Sequence, residues 1–135
     1  MREPFKDIEV EDRKYRLKKM RASDGTWLMF QVGLPMMENV SDKAEASIVL
    51  ELSRILRSMK REDYDSIVSL CLDNVQRFDE KTGAAFSLRA PNGKMGDAAL
   101  EDDVKILFGV VLQSVLFNLS PFFSADSVLS ETFQP

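Results

Sequence analysis

Residues 104–119 carry the densest apolar pattern in the chain. Val104, Leu107, Phe108, Val111, Val115 and Leu119 fall at helical spacing. Ile106, Val110, Leu112, Leu116 and Phe117 are apolar as well, outside that stripe. Glu101, Asp102 and Asp103 place negative charge where a helix N-terminus leaves its N–H groups unpaired. Pro121 ends the segment and pushes Ser120 out of the α region. A helix apolar nearly all round must be covered nearly all round. The pattern therefore predicts a central helix on which the other elements pack. Gly109, which costs roughly 1 kcal/mol against Ala in a helix interior, predicts a close crossing by a covering element.

Elsewhere the period changes. Ile8 and Val10 alternate with Asp7, Glu9 and Glu11, and Tyr15 and Leu17 alternate with Lys14, Arg16 and Lys18. Alternation of this kind predicts a β-hairpin over residues 5–20 with one buried and one wet face. Its turn, Glu11–Lys14, lacks the Gly or Asn of tight two-residue connections, so a longer loop or a type I turn is expected. The acidic outer face of the first strand opposite the basic face of the second predicts cross-strand charge pairs, which account for the Lys14–Lys19 run.

Ser23 or Asp24 is the expected cap of a short helix near Gly25–Val32, which Gly33-Leu34-Pro35 should end. Met36 and Met37 would then lie in a connector, as gap-fillers or as an adaptable partner surface. Ser41 or Asp42 caps the next helix, whose apolar face is Ala44, Ile48, Leu52, Ile55, Leu56 and Met59. A short joint leads to a third helix with Tyr64, Ile67, Val68, Cys71, Leu72 and Val75 on one face. Residues 76–100 break the rhythm. Ala85–Arg89 alternates and could add a third strand to the hairpin, and Gly93–Ala98 reads as an exposed loop.

The fold class is thus α+β: a small N-terminal antiparallel hairpin or three-stranded sheet, packed with about four helices of which the last is central. Residues 1–123 should form one domain and residues 124–135 a fraying tail. The pattern is equally satisfied by a hairpin that packs on its own chain or on a neighbour's.

The chain of 135 residues has net charge −4. Residues 1–22 hold 8 basic and 5 acidic side chains, so the remainder is strongly acidic. That balance argues against nucleic acid as a partner. The start of the chain has no apolar leader segment, and the longest apolar stretch falls short of a membrane span. A reducing, cytoplasmic setting follows.

Chemistry finds little support. Without any histidine, the commonest general base and zinc ligand are absent. Cys71 lies on an apolar helix face, as a small hydrophobe would. The acidic pairs Asp79-Glu80 and Asp102-Asp103 lack calcium-loop spacing. Gly93-Lys94-Met95-Gly96 lacks the full phosphate-loop pattern. No enzyme activity, cofactor or metal is expected. A helix–turn–helix regulator built on the second and third helices is the alternative, although Glu62-Asp63-Tyr64-Asp65 is an unsuitable entry into a DNA groove.

Two blocks carry a family resemblance. The first is Phe5–Pro35, with Tyr15-Arg16-Leu17-Lys18-Lys19-Met20 running into Ala22-Ser23-Asp24-Gly25. The second is Phe86-Ser87-Leu88-Arg89-Ala90-Pro91-Asn92-Gly93, then Leu100-Glu101-Asp102-Asp103-Val104, ending Asn118-Leu119-Ser120-Pro121-Phe122-Phe123. Together they resemble the tail assembly chaperones of lambda-like, long-tailed siphoviruses. The Glu11–Lys14 turn departs from that family in lacking a glycine.

The resemblance implies a protein made in the host cytoplasm and absent from the mature virion. It implies binding to the tape measure protein, and recruitment of the tail tube protein through a longer product of ribosomal frameshifting. A homo-oligomer is compatible with it. The apolar residues nominated for partner contact are Met36, Met37, Phe117, Phe122 and Phe123, with core packing as the competing role of each.

Overall fold

The computed structural model describes residues 5–39, 45–78, 81–88 and 103–120. It is α+β, with strands β1 (Phe5–Val10), β2 (Arg13–Lys18), β3 (Val75–Phe78) and β4 (Ala85–Ser87). The helices are α1 (Ala22–Leu28), a π-helical turn Met29–Gly33, α2 (Leu34–Asn39), α3 (Glu45–Ser58), α4 (Arg61–Asp73) and α5 (Val104–Leu119). The expected cap of α3 at Ser41 or Asp42, the loop at 93–98 and the tail at 124–135 lie outside the described residues.

The chain folds as two compact units. The first comprises residues 1–20 and 68–117. Its strands form one antiparallel sheet in the order β1-β2-β3-β4. The expected third strand at Ala85 is therefore the fourth, and Val75–Phe78 stands between it and the hairpin. Val75, expected on the third helix, opens this strand instead. The switch occurs at Asn74. Its N–H donates to the Cys71 carbonyl and its Nδ2 to the Leu70 carbonyl, while its own carbonyl accepts the Lys18 N–H at 2.8 Å. One residue thus satisfies carbonyls at the end of α4 and docks the next segment on β2.

The hairpin turn is tighter than its composition suggests. Val10 pairs with Arg13, so only Glu11 and Asp12 connect the strands. Both have positive φ, 49° and 66°. That is the type I′ geometry matching the twist of flanking strands, made here without Gly or Asn. The core of this unit joins sheet and helices: Tyr15, Leu17, Leu72, Val75, Leu88, Ile106 and Val110 are buried, with Ile8, Val10, Val68, Leu107 and Phe117 packed against them. Burial of each such side chain contributes about 1.5–3 kcal/mol.

The second unit comprises residues 21–67 and 118–135. α1 begins at Ala22, earlier than Ser23 or Asp24 would cap it, and Arg21 at its N-cap makes no side-chain cap bond. The helix also does not stop at Gly33-Leu34-Pro35. The Leu34 N–H reaches the Met29 carbonyl, five residues back. Such a widened turn opens the helix directly before Pro35, where an α-helical path would set the proline ring against the carbonyl four residues earlier. The chain consequently continues as α2, which packs with the π-helical turn and α3. Leu28, Val32, Met36, Leu52, Ile55 and Leu56 are buried in this unit.

Candidate functional site

α5 is held at its start by Asp103. Its Oδ1 accepts the Lys105 N–H at 2.9 Å and the Ile106 N–H at 3.3 Å, the bonds of an N-cap. The buried positions that follow are Ile106, Val110, Val111, Leu112, Ser114, Val115, Asn118 and Leu119. Within the expected stripe, Val111, Val115 and Leu119 are buried. Val104 and Phe108 belong to that stripe, yet they are 82% and 38% exposed. All five share one helical face, so the difference lies along the helix: that face is covered in the second half and exposed in the first. β1 meets a different face of the helix: a Cβ on Gly109 would stand 2.9 Å from Cγ1 of Val10, so the helix approaches the strand there with bare backbone. The crossing predicted from Gly109 is present. Val104 and Phe108, one turn apart, remain as an exposed apolar ledge on the first half of α5.

Near its other end, α5 meets Lys19. Nζ donates to the Phe117 carbonyl at 2.5 Å and lies 3.9 Å from the centroid of the Phe117 ring. A cation is favoured at a helix C-terminus, where carbonyls lack intrahelical partners, and again over an aromatic face. Lys19 therefore leaves the run of cross-strand charge pairs expected of Lys14–Lys19. Arg16 follows the expectation: it lies directly across from Asp7, with Nε 2.8 Å from Oδ1 and Nη2 3.3 Å from Oδ2. Its guanidinium also sits over the rings of Phe78 and Phe5, at 4.6 and 5.7 Å. The hydrogen bond from Arg16 holds the Asp7 carboxyl below its ordinary value.

The nominated partner residues fare differently. Met36 is 1% exposed and sits in helix α2, not in a connector, so it is a core side chain. Met37 is half-buried on the same helix. Phe117 is half-buried against the first unit's core and engaged by Lys19. Phe122 and Phe123 lie outside the described residues. Exposed apolar side chains also occur outside the nominated set, at Phe5, Phe30 and Leu50. Leu50 stands opposite the buried Leu52 face of α3, so its spacing is a readable signal. Phe30 lies on the π-helical turn, where α-helical counting fails.

Cys71 is buried, and burial pushes its thiol up to about 12, a hydrogen bond with Ser114 opposing the rise. A thiol in that state supplies no nucleophile at neutral pH. Among the described residues, no group of His, Cys, Asp and Glu could hold a metal ion, and no helix is long and apolar enough to cross a membrane.

A family model described as phage tail assembly chaperone protein, TAC, matches residues 11–130. The chain belongs to the phage tail assembly chaperone family. No curated protein and no solved structure matches it. The matched stretch of this chaperone runs from the hairpin turn through all of α5, and β1 precedes it. Partners among phage tail proteins follow from the family. In this chaperone, Val104 and Phe108 are exposed apolar side chains one turn apart on α5.

Proposed function

We propose that this chaperone binds the tape measure protein of a lambda-like siphovirus and keeps it soluble until the tail tube polymerises around it. A longer frameshifted product of the same gene recruits the tail tube protein. The chain acts in the host cytoplasm, by binding and without catalysis, and is absent from the finished virion. Family membership supports the class of role. The observation that supports a helical client is the exposed pair Val104 and Phe108 on α5. Apolar side chains one turn apart suit the apolar stripe of another helix.

A DNA-binding role for α3 and α4 is the weaker reading. α4 opens with Arg61 tied to Asp65 at 2.9 Å, and Glu62 and Asp63 stand in its first turn. An acidic first turn repels the phosphates that a recognition helix must approach.

Co-expression with a tape measure protein, followed by size-exclusion chromatography, tests the proposal. A complex containing both chains is expected. Tape measure protein that elutes or precipitates alone contradicts it. Mass spectrometry of purified virions should find no peptide of this chain.

A further inference from the structure

The sheet of the first unit has two edges. One is β4, three residues long; the other is β1, with six. Among the described residues, nothing pairs with the far side of β1. An open strand of this length presents backbone N–H and C=O groups as a template for another strand. Phe5, Lys6, Asp7 and Glu9 are all exposed. The β2 register fixes the faces. Lys6 and Ile8 lie across from the buried Leu17 and Tyr15, on the core side. Phe5, Asp7 and Glu9 are on the outer side with Lys14 and Arg16.

A second copy of this chain is a poor occupant of that edge. Antiparallel pairing of two β1 strands about a two-fold axis normal to the sheet keeps each face continuous, so odd residues meet odd and even meet even. Centred on Asp7, that residue meets its own copy. Centred on Ile8, Asp7 meets Glu9 twice. Centred on Lys6 or on Glu9, like charge again meets its copy. Every register overlapping three or more residues opposes like charges, which destabilises a cross-strand pair.

The same charges select a different strand. β2 is the template: it sets Arg16 across from Asp7 and Lys14 across from Glu9. We infer that the free edge of β1 docks an extended segment of another protein that carries Lys or Arg at alternate positions. Those cations face Glu9 and Asp7 on the outer side, and Phe5 supplies apolar contact at one end. The segment adds a fifth strand by main-chain hydrogen bonding. This surface differs from the α5 ledge and does not depend on the tape-measure reading.

The probe is an acetylated, amidated peptide of four Lys-Val repeats, with a Glu-Val peptide of the same length as control. Binding is read by fluorescence anisotropy, and its location by amide chemical shifts of the 15N-labelled chain. The lysine peptide is expected to bind saturably, to shift the β1 amides, and to bind at least fivefold more weakly to Glu9→Gln, a variant that introduces no like charge. The natural chain's β1 amides should not shift with protein concentration. Equal binding of the glutamate peptide, shifts confined to other elements, affinity unchanged in Glu9→Gln, or β1 amides that shift with protein concentration would each overturn the inference.

Discussion

Val10 and Gly109 are in contact across the strand–helix interface of the first unit: a Cβ placed on Gly109 would lie 2.9 Å from Cγ1 of Val10. Valine is stiff at χ1, so the methyl cannot swing aside cheaply. Gly109→Ala gains helix propensity of about 1 kcal/mol but overpacks the contact by about 1–3 kcal/mol. The net expectation is a loss of up to about 2 kcal/mol in urea unfolding. In a Val10→Ala background the clash is gone, and the same change should become neutral or stabilising. Equal effects in both backgrounds would show that the two residues do not couple.

The hairpin turn holds two L-residues at positive φ, Glu11 and Asp12. Left-handed conformations cost an L-residue roughly 1–2 kcal/mol, less for Asp than for most. Asp12→Gly should therefore stabilise the protein by about 0.5–1 kcal/mol and raise the thermal midpoint by about 2–4 °C. A lowered midpoint would mean that Asp12 makes a stabilising contact outweighing its backbone strain.

The buried thiol of Cys71 sets a pH dependence on the alkaline side. Its pKa is raised to about 12 from 9.0. The folded chain therefore keeps a proton that the unfolded chain releases, and stability falls as pH rises above 9.0 toward about 12. Cys71→Ser should flatten that part of the profile, whatever its effect on stability at neutral pH. Ellman's reagent, applied at mildly alkaline pH, should leave the native chain unmodified and react fully in denaturant. Rapid native labelling would contradict the burial.

Regular periodicity is legible in the sequence. Ile67, Cys71 and Leu72 on α4, the alternation of Tyr15 and Leu17, and the acidic cap of α5 all occupy the positions their spacing predicts. The departures have local causes. Pro35 reads as a helix end, but the widened turn at Met29–Gly33 accommodates it, which moves Met36 from a connector into the core. Val75 completes a helical template in sequence, yet Asn74 closes the helix and turns Val75 into a strand. On α5, Val104 and Phe108 share a helical face with the buried Val111, Val115 and Leu119 but lie nearer the start of the helix, where that face is exposed. The candidate site is hidden in the sequence for that reason: periodicity gives the face of a helix but not how far along its length that face is covered.

The proposed client site is the α5 ledge of Val104 and Phe108. The direct measurement is the soluble fraction of tape measure protein in cells expressing either the natural chaperone or the double variant Val104→Ser, Phe108→Ser. Val104 is largely exposed, so its substitution should change stability by no more than about 0.5 kcal/mol, whereas the part-buried Phe108 ring should cost about 1–2 kcal/mol; the thermal midpoint checks that the double variant stays folded. Soluble, co-purifying tape measure protein is expected with the natural chain, and a loss of at least fivefold with the folded variant. Full solubilisation by that variant would contradict the proposed site.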